Sequence, residues 1–227
     1  MMVVSSWSGG KDSCYACYKA MSQGHKVSHL LTMISREFQR SGAHGARYEL
    51  MYQQSQAVGI PMVQRQFNRD AYELEFKTAL LELKEKGVRG LVTGDIHLED
   101  SREWVERVCR ESGIEPIMPL WGLGQEEVLN DFREHGFKAI VLSARADLLD
   151  DSWLGRSLDM GFVRDLRSLK DTVNIDLCGE MGEYHTLVTD GPIFSKRIEI
   201  GDRGTVLREG MWFLDVSYRL AEKGGDG

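Results

Sequence analysis

A glycine-rich loop near the N-terminus constrains this chain more than any other feature. The string Ser8-Gly9-Gly10-Lys11-Asp12-Ser13 follows an apolar run over residues 2–7 and precedes a helix-like segment that ends near Gly24. A glycine-rich turn between a buried strand and a helix gathers anions, because the free N–H groups of the first helical turn point at the ligand and the helix dipole favours negative charge. The sequence therefore predicts a phosphate loop over residues 8–13, in which Gly9 and Gly10 let the backbone approach the ligand closely.

The side chains of the phosphate loop suit a nucleotide that is bound together with a metal ion. Ser8 and Ser13 can add hydroxyl donors, and Lys11 adds a mobile positive charge. Asp12 suits a phosphate site only with a cation beside it, and Mg²⁺ binds through one or two carboxylates plus phosphate oxygens. We therefore predict Mg²⁺ at Asp12. The plain alternative is an ordinary strand–turn–helix in which Ser13 or Asp12 caps the helix.

Strand-like and helix-like segments alternate along the first part of the chain. The strand patterns end near Ile34, Phe67, Thr93, Met118 and Leu142, and helical segments of ten or more residues separate most of them. This alternation predicts an α/β fold built from βαβ units, with a parallel, doubly wound sheet and right-handed crossovers. Ligands of such sheets lie beyond the carboxyl ends of the strands, where the strand order reverses.

The pattern changes near residue 144, where the strict alternation stops. One or two helices over residues 153–170 precede a series of short strand-like segments. We predict a nucleotide-binding domain over residues 1–143, a smaller α+β substrate domain over residues 144–222 and a frayed tail over residues 223–227.

Two further strand ends carry candidate nucleotide contacts. The string Gly94-Asp95-Ile96-His97 follows the fourth strand and faces the phosphate loop. Asp95 is predicted to hold Mg²⁺ or the ribose, and a helix cap is the alternative. Thr32 and Met33, at the end of the second strand, are predicted to meet the adenine, because backbone groups there commonly read a base edge in this architecture; plain core packing is the alternative.

A turn in the second half of the chain concentrates titratable side chains beside glycines. Its sequence is Cys178-Gly179-Glu180-Met181-Gly182-Glu183-Tyr184-His185-Thr186. The glycines bend the chain, so Glu180, Glu183 and His185 can converge on one side, which favours a substrate site over a solvated hairpin. A glutamate there can hold a cationic group, and His185 can shuttle a proton. Strand alternation places Glu183 and His185 on one face, so we expect a raised pKa for His185.

Composition excludes several classes of protein. The formal net charge of −7 argues against a nucleic-acid partner, which usually demands a basic face. No apolar run reaches the length of a membrane span, and the start has no signal-peptide layout. The pair Cys14-x-x-Cys17 has no second pair to complete a zinc site, so we expect helix packing for both cysteines and a reduced, cytoplasmic protein.

The phosphate loop resembles the Ser-Gly-Gly-x-Asp-Ser loop of the N-type ATP pyrophosphatases, and the chain as a whole resembles one family of that class, the diphthine–ammonia ligases. The wider resemblance is carried by residues 8–13, Pro119-Leu120-Trp121, Trp153-Leu154-Gly155-Arg156 and residues 179–186. It implies a fold like that of the adenine nucleotide alpha hydrolases (the HUP class). It also implies that ATP adenylates the carboxylate of diphthine, a modified histidine of elongation factor 2, and that ammonia displaces AMP to give diphthamide.

The resemblance also assigns roles to residues of this sequence. The ATP phosphates are implied to contact Ser8, Gly9, Gly10, Lys11, Asp12 and Ser13. The substrate half is implied to contain Glu180, Glu183 and His185, which with Lys11 and Asp12 make up the predicted catalytic set.

One departure leaves the acceptor open. The eukaryotic and archaeal ligases usually have Gly-Ala-Ile where this chain has Gly94-Asp95-Ile96, as in a sister branch of related ATP pyrophosphatases. One alternative is a related enzyme that acts on a tRNA base or on a small-molecule carboxylate. The acidic balance and the single Cys-x-x-Cys count against tRNA. A nucleotide sensor without catalysis is another alternative, but it has no need of the string around Glu180. No glutaminase domain is evident, which favours free ammonia, and a homo-oligomer stays open.

Overall fold

The computed structural model describes residues 1–36, 48–170 and 172–224. The polar stretch over residues 41–47 lies outside the described residues, as do residues 225–227 of the predicted tail.

The first half of the chain forms a five-stranded parallel sheet with the strand order β3-β2-β1-β4-β5. Its strands are β1 (Met2–Ser6), β2 (Lys26–Ser35), β3 (Met62–Phe67), β4 (Gly90–Val92) and β5 (Glu115–Ile117). The predicted parallel sheet is confirmed. The strand order reverses on either side of β1, so the crevice expected for a ligand lies beyond the carboxyl ends of β1 and β4.

Helices cover both faces of this sheet. They are α1 (Lys11–Ser22), α2 (Tyr48–Val58), α3 (Tyr72–Glu85) and α4 (Glu99–Ser112). Neighbouring strand residues point to opposite faces, so Val3 joins the apolar cluster that contains α1, whereas Val4 joins the cluster that contains α3 and α4. The sheet is therefore doubly wound, as predicted.

A second, antiparallel sheet has the strand order β7-β6-β9-β8. Its strands are β6 (Lys138–Arg145), β7 (Tyr184–Asp190), β8 (Lys196–Arg208) and β9 (Met211–Glu222), and the helices of this part are α5 (Gln125–Glu134) and α6 (Met160–Lys170). The smaller α+β part predicted in the second half is present.

Strand β6 corrects the prediction that the alternating pattern continues to Leu142. β6 pairs with β7 and β9, which lie far along the chain, and local alternation cannot reveal such partners. The change of sheet therefore falls before Lys138, and the domain boundary predicted at residue 144 lies within β6. That the two parts are separate domains stays a prediction.

One apolar cluster joins the two sheets and includes Trp7, Tyr15 and Leu214. α1 contacts β7, and α2 contacts β8, so these helices lie between the sheets. α1 is accordingly apolar on several sides, since Cys14 and Cys17 are fully buried and form no disulfide. Among the described residues, no helix is long and apolar enough to cross a membrane.

Candidate functional site

A cavity of about 630 Å³ opens beyond the carboxyl ends of β1 and β4, where the fold places its ligand crevice. Its floor comes from the phosphate loop and from the segment after β4, and its walls come from α3 and α4. The lining residues include Ser8, Asp12, Ser13, Thr93, Gly94, Asp95, Tyr72, Phe76, Ser101 and Trp104. The phosphate loop and Gly94-Asp95, which the sequence placed at one edge of the sheet, therefore line the same cavity.

The phosphate loop wraps around the hydroxyl of Ser13. That hydroxyl donates to the carbonyl of Gly10 at 3.0 Å, and it accepts the backbone N–H of Ser8 at 3.3 Å. Gly9 has a φ of +78°, which is the left-handed region, and an added Cβ there would lie 2.3 Å from Oε1 of Gln54. Both observations explain why this turn requires glycine and a short hydroxyl side chain.

The side chain of Lys11 points away from the cavity into the protein, and it is 3% exposed. Its Nζ donates to both carboxylate oxygens of Asp12, at 2.7 and 2.9 Å, and also to the carbonyl of Cys178. Nζ also lies 5.5 Å from the ring centroid of Tyr184. Burial acts to lower the pKa of Lys11, but the groups around the ammonium, first of all the carboxylate of Asp12, together raise it.

Asp12 is the acidic group of the loop, and its side chain is 27% exposed. Burial raises the pKa of Asp12, and the nearby charge of Asp176 acts in the same direction, whereas Lys11 opposes both. A cation beside Asp12 would stabilise its charged form. Carboxylates are ligands that Mg²⁺ accepts, so Asp12 and Asp95 fit the predicted metal by their chemistry and by the cavity they share.

Gly94 packs directly against the backbone of the phosphate loop. A Cβ at this position would lie 2.7 Å from the carbonyl carbon of Asp12 and 2.9 Å from the backbone nitrogen of Ser13. Backbone atoms cannot yield as a flexible side chain can, so glycine is required here for close approach. Gly94 therefore shapes the loop as well as lining the cavity.

The structure does not bring the side chains of Thr32 and Met33, the two predicted adenine contacts, to the cavity. Thr32 is fully buried, and its hydroxyl donates to the carbonyl of Trp7 at 2.8 Å. Met33 is 8% exposed and packs in the apolar cluster with α3. The strand end points these side chains into the core, so the adenine contact predicted for the backbone groups there stays a prediction.

An aromatic wall borders the cavity, and the sequence analysis did not find it. Tyr72 and Phe76 stand one turn apart on α3 with their rings stacked at 6.0 Å, and Trp104 of α4 lies 5.2 Å from Phe76. Burial, and then the charge of Asp95, raises the pKa of Tyr72. The aromatic residues at four-residue spacing on α3 were visible in the sequence, but their approach to Trp104 depends on how α3 packs against α4.

We call residues 176–183 the Glu180 turn, and Asp176 is its centre. Oδ1 of Asp176 accepts the N–H of Cys178 at 2.7 Å, and its Oδ2 accepts the amide of Gln125 at 2.7 Å. The backbone N–H of Asp176 itself donates to the carboxylate of Glu183 at 2.9 Å. Neither Asp176 nor Gln125 stood out in the sequence, because each lies outside the glycine-bounded motif.

Glu180 connects its turn to the segment after β4. Its two carboxylate oxygens accept the backbone N–H groups of Ile96 at 2.8 Å and His97 at 3.0 Å. The ring of His97 bridges two acids, with Nδ1 2.6 Å from Glu180 and Nε2 3.0 Å from Asp176. Burial raises the pKa of Glu180, although both backbone hydrogen bonds oppose that change.

Of the predicted group of Glu180, Glu183 and His185, the two glutamates converge on Asp176, and the place of His185 in the group stays a prediction. Both glutamates meet Asp176: the N–H of Glu180 donates to it at 3.4 Å, and Glu183 caps its N–H. The expectation of a raised pKa for His185 is wrong. Burial lowers the pKa of His185 to about 4, and the positive charge of Lys11 acts in the same direction.

Within the described residues, one group of three or more potential metal ligands has its ligand atoms within 4.8 Å of one another, namely His97, Asp176 and Glu180. Asp12 and Asp95, the predicted magnesium ligands, line the neighbouring cavity instead. A metal there would therefore need phosphate oxygens or water to complete its ligand set.

Arg156, of the string Trp153-Leu154-Gly155-Arg156, is held by an aromatic stack and an ion pair. Its guanidinium lies 4.3 Å from the ring centroid of Trp153 and 2.6 Å from the carboxylate of Asp165. Trp153 is 8% exposed and belongs to the apolar cluster between the sheets. This motif therefore stabilises the second part of the chain.

Comparison with known proteins adds a family to this geometry. Residues 1–116 match the family described as the diphthamide synthase N-terminal domain, and residues 124–225 match its C-terminal domain. The diphthine–ammonia ligase of Homo sapiens is 31% identical over an alignment of 242 positions, which covers 96% of this chain and 90% of the human protein. The diphthine–ammonia ligase of Danio rerio is 31% identical over an alignment of 246 positions, which covers 96% of this chain and 93% of that protein.

A solved structure also resembles this chain, although more remotely. It is the crystal structure of a predicted tRNA methyltransferase subunit from Methanocaldococcus jannaschii, with 18% identity and a TM-score of 0.47 over 85% of this chain and 98% of that one. The two matching domains and the sequence relatives, rather than this likeness, establish the family.

Proposed function

This chain belongs to the diphthamide synthase family, and on that premise we propose that it is an ATP-dependent ligase that adenylates the carboxylate of diphthine on elongation factor 2 and converts it to an amide with ammonia. The family comprises amide-forming ligases of diphthamide biosynthesis. The acceptor, the nitrogen donor and the adenylate are parts of this proposal.

The observation that carries the proposal is that the phosphate loop and the Glu180 turn are in direct contact. Lys11 of the loop donates to the carbonyl of Cys178 in the turn, and Gly94-Asp95-Ile96-His97 runs from the cavity to Glu180. An adenylating ligase needs its acceptor carboxylate beside the α-phosphorus of ATP, and contact between the two candidate sites supports that arrangement.

The cavity supports the ATP half of the reaction. The loop offers hydroxyl groups and a helix N-terminus to phosphates, and the aromatic wall of Tyr72, Phe76 and Trp104 offers a face to the base. In the first step, a carboxylate oxygen of the acceptor bonds to the α-phosphorus, and the bond from that phosphorus to the bridging oxygen breaks. Pyrophosphate leaves, and the acyl adenylate remains.

Asp12 and Asp95 are the residues that we propose as Mg²⁺ ligands. Mg²⁺ supplies positive charge beside the phosphates when it is bound. The protein itself orients Asp12 through Lys11, at 2.7 and 2.9 Å, and shapes the loop around Gly94.

The Glu180 turn supports the nitrogen half of the reaction. Asp176 and Glu180 bring two carboxylates to one place, and such groups bind a cation such as ammonium. In the second step, the bound ammonium loses one proton to solvent, the nitrogen of the ammonia so formed bonds to the acyl carbon, the bond to the AMP oxygen breaks, and a second proton leaves the nitrogen. The ring of His97, which lies 2.6 Å from Glu180, is placed beside that proton's path.

The test is a reaction of the purified chain with diphthine-carrying elongation factor 2, ATP, MgCl₂ and ammonium chloride. We expect AMP and pyrophosphate in equal amounts, and an amide on the diphthine peptide in its mass spectrum. Asp12→Asn should abolish AMP formation in a folded protein, whereas Asp147→Asn, which alters an exposed ion pair with Arg145, should leave it unchanged. ADP instead of AMP would rule out the adenylation.

A second candidate keeps the adenylation and changes the acceptor. The segment in which this chain departs from the ligase pattern, residues 94–97, contacts Glu180 directly through Ile96 and His97. A changed segment at that contact favours a changed acceptor, such as a small-molecule carboxylate. AMP formation with such a carboxylate, and none with elongation factor 2, would decide for this candidate.

A further inference from the structure

We propose that Lys11 is a positioning residue that holds the Glu180 turn against the phosphate loop, and that it does not bind the phosphates of ATP. The inference rests on the proposed function, which makes ATP the ligand of the cavity. It also replaces the phosphate contact that the sequence assigned to this lysine.

The hydrogen-bonding capacity of the Lys11 ammonium is already used inside the protein. An ammonium has three N–H donors and no acceptor. The structure offers it three oxygens, namely the two of the Asp12 carboxylate and the carbonyl of Cys178. The ring of Tyr184 covers another side at 5.5 Å, and the side chain is 3% exposed. No donor is left for a phosphate in the cavity unless one of these bonds breaks.

The backbone N–H of Lys11 is also turned away from the cavity. Lys11 is the first residue of α1, and the first N–H groups of a helix are those that bind an anion. This N–H donates to the hydroxyl of Thr186 at 2.9 Å instead. Both the side chain and the backbone of Lys11 therefore bind residues that follow α6, on the acceptor side of the site.

The carbonyl that Lys11 holds belongs to Cys178, a residue on which the Glu180 turn depends. The N–H of Cys178 donates to Asp176 at 2.7 Å, and its carbonyl accepts from Lys11. Asp176 therefore holds the backbone N–H of Cys178, and Lys11 holds its backbone carbonyl. Next to it, the N–H of Val188 donates to the carbonyl of Gly9 at 2.9 Å, which extends the same contact along β7. Loss of Lys11 should loosen the turn and leave the cavity in place.

The experiment compares two measurements on the full chain with Lys11→Met. Hydrogen exchange should become about tenfold faster or more in peptides that cover residues 176–186, because the turn loses its anchor, while peptides of α3 keep the wild-type rate. The Kd for ATP, measured by calorimetry in EDTA so that the proposed metal site at Asp12 does not enter, should stay within about threefold of wild type. Unchanged exchange in the turn peptides, or a Kd weakened about tenfold or more, would overturn the proposal.

Two further variants control the experiment. Lys19→Met removes another lysine of α1, whose Nζ also lies 5.5 Å from a tyrosine ring, that of Tyr15, and it should leave both measurements unchanged. Thr186→Val removes only the hydroxyl that receives the N–H of Lys11 and decides the question if Lys11→Met does not fold. It should speed exchange in the turn by a smaller factor at unchanged Kd, and an unchanged rate would count against the proposal. Neither measurement needs an acceptor, so a wild-type protein that forms no AMP would refute the proposed function alone.

Discussion

The phosphate loop and the Glu180 turn lie side by side but are held by different chemistry. Apart from the ion pair between Lys11 and Asp12, neutral groups hold the loop: the carbonyl of Gly9 accepts the N–H of Val188 and the amide of Gln54, both at 2.9 Å. Carboxylates hold the turn, since Asp176, Glu180 and Glu183 each accept at least one backbone N–H. The loop therefore depends on steric fit, and the turn depends on charge.

Because of this difference, we expect the loop and the turn to respond differently to pH and to substitution. A neutral backbone contact keeps its strength over a wide pH range, whereas a carboxylate that gains a proton loses an acceptor. Burial raises the pKa of Glu180, so it loses its charge at a higher pH than an ordinary glutamate does. Substitutions that alter shape should therefore damage the ATP half of the reaction, and substitutions that alter charge should damage the amide half.

The largest expected effect is that of Gly94→Ala on the loop. The new methyl group would lie 2.7–2.9 Å from backbone atoms of Asp12 and Ser13, so the loop must move. A misplacement of about 1 Å costs about a hundredfold in rate, so AMP formation should fall by about that factor. Overpacking should lower the free energy of unfolding by about 1–3 kcal/mol. Initial rates of AMP release and urea denaturation measure both effects.

Gly204→Ala is the matched control, because no atom lies within 4 Å of a Cβ at that position. It should keep the wild-type rate of AMP release. If Gly94→Ala released AMP as fast as Gly204→Ala, steric fit would not be what shapes the loop.

Asp176→Asn is the corresponding test of the turn. An amide replaces a charged acceptor of the N–H of Cys178 and the amide of Gln125, and hydrogen bonds to charged groups contribute about 1.5–3 kcal/mol. The rate of amide formation should fall by about tenfold to a hundredfold, while the Kd for ATP stays within about threefold of wild type. Mass spectrometry of the product and calorimetry with ATP separate the two.

The control for this charge removal is Asp150→Asn, whose Oδ1 accepts the N–H of Ser152 at 3.0 Å on the surface. It should leave amide formation unchanged. A loss of ATP affinity in Asp176→Asn as large as its loss of amide formation would mean that the turn belongs to the ATP site.

The same contrast explains what the sequence could predict. The loop was predictable because its geometry is written in adjacent residues: two glycines, two serines and a strand–helix junction. The parallel sheet was predictable for a similar reason, since each βα unit has its own local pattern. The turn was located by its glycines, but the residues that organise it, Gln125 and His97, come from distant segments.

Long-range packing also decided where several of the predicted residues lie. Lys11 was read as mobile, but the Glu180 turn encloses it, and no local pattern shows that contact. Thr32 and Met33 point into the core because β2 is buried at its carboxyl end. The pKa of His185 was expected to follow its neighbour in sequence, yet burial and Lys11 determine it.

His185 gives a test in which charge acts on stability. Its pKa is lowered to about 4 by burial and by Lys11, so the folded state binds a proton more weakly than the unfolded chain does. Below about pH 6.5 the unfolded state binds the proton before the folded state does. The free energy of unfolding therefore decreases as the pH is lowered from 6.5 to about 4. At pH 5 the loss relative to pH 7 should be about 1–2 kcal/mol.

His185→Gln should remove that part of the pH dependence. Urea denaturation at pH 7 and pH 5 measures it, and His135→Gln, which removes an exposed imidazole, should keep the wild-type slope. An equal slope in wild type and His185→Gln would show that His185 is not the group that titrates.

The smallest expected effect concerns the aromatic wall, which adds a third kind of contact to the ATP side. Trp104→Leu removes a ring of the wall that we propose to stack on the base of ATP, and an aromatic pair contributes about 0.5–1.5 kcal/mol beyond its buried area. The Kd for ATP should therefore weaken by about threefold to tenfold. Tripolyphosphate has no base to stack, so its Kd should stay unchanged in calorimetry. Trp212→Leu, on β9, should alter neither constant. An equal loss of affinity for tripolyphosphate would mean that Trp104 acts on the phosphate loop, and steric fit would then explain the whole ATP side.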